Sequence, residues 1–440
     1  MQTNLRSVSA NDPRFVGRTD AETIQNTIDF AAENGVGTVR IPRDNARTGK
    51  PVWNVDRAVL LPDDLTVELD GAHLRLADGV RDNIFRNRNA GTACGATLAG
   101  EQHDIRLVGK NGAMLDGGEP NGMSEKLCRE HPGEYPPMWV NLLVWFVNVR
   151  NFSVEGLRVV ESRWWALCFH YCRFGRLADL EFRMDASLRN RDGIDLRIGC
   201  EEITVENIRG LTGDDTIALT ALADTDLCGA PIRVEGKSGD IRNIAIRKIR
   251  AASCGCALVR LLNADSHAIR NIEIDGIEDT GEAISAAAIR FGEGNARYAK
   301  QGVRQMGEFE NVAVRNVTTS AQYALVFAEP TRNVSVEDVR AVGECAVLAR
   351  FYGNFVGEKV ILRRLGFAEN AGSADCVFRV APEADMRGCR IEEVSAGQAR
   401  CLFREARVRV EHWQFGAGMP EEFSPESPDL PNAYARYLKA

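Results

Sequence analysis

The chain has 440 residues, 44 % hydrophobic and 26 % charged, which is enough apolar content for a folded core and too much for a disordered polymer. A formal charge of −8 without any basic block argues against nucleic-acid and anionic-membrane partners. No apolar run approaches the roughly 20 residues of a membrane span, and "MQTNLRSVSANDPRF" lacks the apolar stretch of a secretory signal, so the expected location is cytoplasmic.

The first element is a helix. "DAETIQNTIDFAAENGV", from Asp20, offers Asp20 as a cap and keeps Glu22 and Glu33 polar, with Ile24, Ile28 and Ala31 on one face. "GTVRIP" follows as the first strand. From about residue 100 one pattern recurs: apolar, any, apolar, any, any, apolar. It reads Phe152, Val154, Leu157, then Ile203, Val205, Ile208, then Ile244, Ile246, Ile249. Further copies start at Ile272, Val312 and Val334; weaker ones start at Ile105, Val360, Cys389 and Val408, and a degraded one at Leu177. From Phe152 to Cys389 successive starts lie 22–29 residues apart, except for two steps of 41 and 40.

Alternation with period 2 means strands, and a repeat in the twenties means a stacked array. β-branched residues dominate the copies, which disfavours helices. Asn151, Asn243, Asn271, Asn311 and Asn333 precede copies, and asparagine tolerates the left-handed backbone of a tight corner. The expected fold is all-β: a right-handed single-stranded parallel β-helix, one repeat per coil, with a short N-terminal capping helix. Residues 1–420 are expected to form one domain, with the cap at about 15–45, and the proline-rich 421–440 an extended tail. Twelve cysteines without CxxC spacing read as reduced thiols rather than as disulfides or zinc ligands.

The stretch 190–219, "NRDGIDLRIGCEEITVENIRGLTGDDTIAL", carries Asp192, Asp195, Asp214 and Asp215. Asp192 and Asp214 are 22 residues apart, one coil, so they are expected one above the other. Adjacent strand residues point to opposite faces, so Asp214 and Asp215 share a site only at a bend, which Gly213 permits. Crowded carboxylates raise one another's pKa, so that one stays protonated while others ionise, as a glycosidase needs. The same residues also suit two other roles, plain turn residues of a solenoid or calcium ligands. Asp195, three residues past Asp192, is expected on the other side, with a role in stability. His170 and one of Trp164 and Trp165, by preference Trp165, are candidate sugar contacts; Trp139 and Trp145 read either as core or as platform. Three segments read as rim loops: 118–137 with Glu134 and Tyr135, 221–240, and 294–310 with Arg297 and Tyr298.

With these motifs the chain resembles glycoside hydrolase family 28, the polygalacturonase-type enzymes of pectin-lyase-like fold, whose motifs run NTD, DD, GHG, RIK. It has "NRD" at 190–192 and "GDD" at 213–215. "YPPMWVNLLVWFVNVRNFSVEGLRVVESRWWALCFHYC" and "TDAETIQNTIDFAAENGVGTVRIP" resemble the family's stretch before NTD and its opening, so the likeness covers about residues 15–295. The resemblance implies Asp214 as general acid, Asp192 and Asp215 as the pair that activates water with inversion, and Asn190 as a positioning partner. Two motifs depart. "SCGCALVRLL" puts Gly255 or Cys256 where GHG has histidine, and "AAAIRFG" keeps Arg290 but has Gly292 at the lysine. Arg260 is a candidate replacement cation. The implied function is hydrolysis of an O-glycosidic bond in a pectin-related or other oligosaccharide, with no metal and no other cofactor, and with polygalacturonate a poor substrate. The rivals are a β-helix lyase or epimerase on uronates, and a non-catalytic carbohydrate-binding solenoid.

Overall fold

The computed structural model describes residues 6–131, 133, 134, 137–222, 232–263, 266–293, 305–369, 371, 372, 374–404 and 413–415. The fold is a right-handed parallel β-helix. Its residues form two compact units, Met1–Gly213 with Ala223–Gly239, and Asp214–Leu222 with Asp240–Ala440.

The first unit opens with the short strand Val8–Ser9, which pairs with Thr38–Pro42 and precedes the strand expected to come first. The helix spans Asp20–Glu33 and buries Ile24, Ile28 and Ala31 completely. Its cap is Thr19 rather than Asp20: the Thr19 hydroxyl accepts from the Glu22 amide at 3.2 Å. Asp20 instead lies buried in the first turn. It accepts from the Arg47 guanidinium at 2.8 Å and from the Asn54 amide at 2.8 Å, which ties the helix to the coil beneath. A second short helix, Glu125–Glu130, was not expected from the sequence; the Ser124 side chain caps it. Coils then stack in parallel, with Leu65 opposite Ile105, Ile105 opposite Phe152 and Gly175 opposite Ile203.

The copy assigned to Leu177 is out of phase, because Phe152 faces Gly175 and Leu177 faces Val154. The cause is steric. A Cβ on Gly175 would stand 2.3 Å from the Phe152 ring, so this coil gives up its first apolar residue to a large neighbour.

The second unit repeats one coil with little variation. Ile244, Ile272, Val312, Val334, Val360 and Cys389 succeed one another in register. The long strands from Ile241–Ser253 to Val356–Phe367 are each bent twice. Asn271, Asn311 and Asn333 have φ of 56°, 56° and 50°, and five residues later Gly276, Asn316 and Asp338 are again left-handed. The second bend explains the doubled gap in the pattern. A left-handed Gly276 resets the alternation, so Ile274 and Ile277 both point inward and are at most 1 % exposed. The corner asparagines also bond to each other. The Asn311 amide donates to Asn271 at 3.0 Å, and Asn333 donates to Asn311 at 2.6 Å. Inside, Phe291, Phe327 and Phe351 stack at 4.8 and 5.1 Å, which is the coil spacing itself. The described cysteines form no disulfides with one another, and no described helix is long and apolar enough to cross a membrane. Val408 and the segment 421–440 lie outside the described residues.

Candidate active site

In the first unit the strand Ile194–Arg197 lies beside Leu167–His170, with Cys168 opposite Asp195. Phe169 packs on Phe146 and Phe152 in the interior, so alternation turns Asp195 and Arg197 to the outer face of the sheet. That face is dry. Asp195 and Arg197 are 0 % and 1 % exposed and pair at 3.2 Å, and the guanidinium lies 4.1 Å above the Trp165 ring. Met138, Leu142, Trp145, Trp164 and Ile232 cover the same patch.

Two expected sugar contacts are therefore engaged elsewhere. The face of Trp165 carries Arg197, and Trp164 is buried beside it at 6.2 Å. His170 is fully buried and accepts from the Trp145 indole at 3.2 Å, so its Nδ1 is the bare nitrogen. Trp139 stacks on Trp145 at 4.6 Å, so these two rings serve the same packed cluster. Packing won here because four tryptophans in one segment offer more burial to one another than to a groove.

Asp192 is 2 % exposed, and Asn190 is half-buried with φ 60°, the left-handed value that asparagine tolerates. Between them Arg191 is buried and paired with Glu161. Gly213 lies in the bend and is required for space as well. A Cβ there would sit 2.5 Å from the Leu188 carbonyl oxygen, while its own amide donates to the Arg191 carbonyl at 3.0 Å.

In the second unit the bend at Asp214–Asp215 separates the environments of two adjacent carboxyl groups. Asp214 is half-buried; Asp215 is fully buried. The Asp215 amide donates to Asp214 Oδ1 at 3.0 Å, and the Ser253 hydroxyl donates to the Asp214 carbonyl at 2.8 Å. Asp215 Oδ1 accepts from the Ala257 amide at 2.9 Å, and its Oδ2 lies 2.7 Å from Arg260 Nε. Burial nevertheless pushes the Asp215 carboxyl up to about 6, against the pull of Arg260 and with a further push from Asp214. Of the two residues aligned with the missing histidine, Cys256 is the one at the site. Its sulfur lies within 4.8 Å of oxygens of both aspartates, and burial beside those carboxylates raises its pKa, which keeps it a thiol. These three side chains are close enough to share a cation, although a guanidinium already stands against Asp215.

Arg260, the candidate replacement cation, is largely buried and stands against Asp215. Arg290 is one strand further, in register with Arg260. It turns back on its own loop, donating to the carbonyls of Gly292 at 3.2 Å and Glu293 at 3.0 Å and to Glu293 Oε1 at 3.0 Å. Glu293 also comes within 3.9 Å of Arg260 and so spans both arginines. The sequence reading passed over Glu293; an acid three residues after the retained arginine was the available signal. Gly292 has its own reason to differ from lysine. It has φ 77°, and a Cβ would stand 2.1 Å from the Glu329 side chain. Tyr135, Arg297 and Tyr298 lie outside the described residues. Glu134 is exposed and sits 3.4 Å from His131.

No protein-family model matches the chain, and no curated protein does either. Solved structures do match. An exopolygalacturonase from Thermotoga maritima is 14 % identical, with 96 % of this chain and 92 % of that one covered at a TM-score of 0.53. A mannuronan C-5 epimerase module from Azotobacter vinelandii is 12 % identical, with coverages of 95 % and 99 % and a TM-score of 0.53. A surface adhesin of Streptococcus pneumoniae is 13 % identical, with coverages of 95 % and 93 % and a TM-score of 0.55. The shared feature is the parallel β-helix fold.

Proposed function

We propose that the protein is an inverting glycoside hydrolase acting on an oligosaccharide, with Asp214 as general acid. The observation that carries this reading is the divided pair. Asp214 is the reachable carboxyl, and the adjacent Asp215 is buried, pinned by Ala257 and Arg260, with its pKa displaced to about 6. Above pH 6 a carboxylate raised to about 6 is a stronger base than an ordinary one, while the reachable Asp214 can meet a leaving oxygen, and acid and base work on a glycosidic bond needs that division. In the proposed reaction Asp214 gives its proton to the leaving oxygen as the glycosidic bond breaks. A water oxygen bonds to the anomeric carbon from the opposite side and loses its proton to carboxylate. Asp192 and Asp215 take that last role on the strength of the motif resemblance, with Asn190 as a positioning partner.

The test is a product assay on a panel of oligosaccharides. Hydrolysis gives a new reducing end and no ultraviolet-absorbing unsaturated sugar, a lyase gives the unsaturated sugar, and a binder gives neither. Asp214→Asn should keep fold and ligand binding and lose about 10²–10⁴-fold in turnover, the usual worth of a general acid. Wild-type turnover by Asp214→Asn on a cleaved substrate would remove the assignment.

A further inference from the structure

One line of register along the second unit carries arginine after arginine. Arg260 lies opposite Arg290, Arg290 opposite Val326, Val326 opposite Arg350, Arg350 opposite Arg379 and Arg379 opposite Arg404. Four of these five arginines have a carboxylate partner: Arg260 has Asp215 at 2.7 Å, Arg290 has Glu293 at 3.0 Å, and Arg379 and Arg404 share Asp375 at 2.7 and 2.9 Å. Arg350 differs. Among the described residues no carboxylate comes within ion-pair distance of it. Its guanidinium is held by tyrosines instead. Nη1 donates to the Tyr323 hydroxyl at 2.9 Å, and the guanidinium carbon lies 4.3 Å from the Tyr352 ring centre and 5.3 Å from that of Tyr323. All three side chains are half-buried and open to solvent in part.

We propose that Arg350, clasped by Tyr323 and Tyr352, binds the carboxylate of an acidic sugar unit removed from the cleaved bond; this deepens the hydrolase reading and rests on it. A guanidinium stacked on aromatic faces has already lost its rotamer freedom, so a ligand meets a preset fork whose five donors suit the two oxygens of a carboxylate. One of those donors is spent on a hydroxyl, and the remaining ones have no acid to satisfy them. The flanking rings supply flat apolar surface of the kind that sugar rings pack on. Arg350 is three strand steps from Arg260, the partner of Asp215, and at about 4.8 Å per step this is roughly 14 Å along one sheet face. An oligosaccharide of a few units with its reacting bond at Asp214 spans that distance.

The test is calorimetric titration with trigalacturonate and with its methyl ester, in an Asp214→Asn background that leaves the ligand uncut. The acid is expected to bind roughly 10- to 100-fold more tightly than the ester, the worth of one charge-assisted pair. Adding Arg350→Gln should remove that difference by weakening the acid alone. Arg350→Lys keeps the charge without the stacked fork and should fall several-fold short of the parent. Far-UV spectra that match the parent establish that each variant is folded. Equal binding of acid and ester by the parent overturns the proposal, as does parent-like affinity for the acid in both Arg350 variants. Loss of acid binding in Arg350→Gln, together with no cleavage of any glycan by the Asp214 enzyme, would sink the hydrolase reading and leave the carboxylate site standing.

Discussion

Asp215 allows burial and ion pairing to be weighed directly. Burial opposes its charge, Arg260 at 2.7 Å favours it, and the balance raises the carboxyl from 3.8 to about 6. A group whose pKa is raised by folding stabilises the fold below its unfolded value and loses that contribution as pH climbs through its folded value. The window is therefore pH 3.8 to about 6. A displacement of about 2 pH units corresponds to about 3 kcal/mol at about 1.4 kcal/mol each. Asp215→Asn removes this titration and leaves Arg260 charged throughout. Plotted against pH, the stability of Asp215→Asn minus that of wild type should rise by about 3 kcal/mol between pH 3.5 and pH 7. Urea denaturation of both proteins at matched salt across that range gives the difference, in which carboxylates common to both cancel to first order. A flat difference would refute the reasoning. A falling one would show that the pull of Arg260 exceeds the burial cost and that the carboxyl is depressed.

Two further outcomes concern the scaffold. Gly292→Ala puts a Cβ at a left-handed position and against Glu329, and should cost about 1–3 kcal/mol by the same denaturation assay; a neutral effect would contradict the steric account of the lost lysine. Asn311→Gly keeps the corner at φ 56° but breaks the bonds to Asn271 and Asn333, whereas Asn311→Ala also strains the corner. Alanine should therefore be the more costly of the two by about 1 kcal/mol, measured as unfolding free energy.

The coil was legible in the sequence because its causes are local and repeated. An asparagine at the corner, a β-branched pair after it and a third β-branched residue one place out of phase recur from Asn243 to Val339, so these coils are built by the same few residues. Reading failed where one coil compensates for another. Gly175 breaks the pattern only because Phe152 above it is large, and periodicity within one strand carries no trace of that. The site divides in the same way. Adjacent aspartates flanked by glycine are visible as letters, and so is a missing lysine. That Arg260 would turn to Asp215, that Glu293 would span two arginines and that Arg197 would lie across Trp165 depend on which side chains share a face on neighbouring coils. Four tryptophans near the motifs suggested a platform, but hydrophobic side chains close in space bury one another first.

The charges of the second unit bear on substrate choice. Arg290, the cation that matches the resembled motif, already donates to Glu293 and to two carbonyls. A uronate carboxylate arriving there has to displace Glu293, exchanging one charge-assisted pair for another with little net gain. It also meets Asp214, Asp215 and Glu293 at close range, and like charges raise the cost of binding. At Arg350 a carboxylate displaces no acid among the described residues. An oligosaccharide that is neutral at the cleaved bond and acidic a few units away should therefore be turned over faster than one with a carboxylate on every unit. The gap should be one to two orders of magnitude, since each charge-assisted hydrogen bond is worth about 1.5–3 kcal/mol. Initial rates on polygalacturonate and on short mixed oligosaccharides, compared at equal concentrations of reducing ends and over a range of salt, measure it. Added salt should narrow the gap by screening the repulsion at the partly exposed Asp214. Faster release from the polymer at every salt concentration would mean that Arg290 gives up Glu293 readily and that the carboxylates around it do not set the preference.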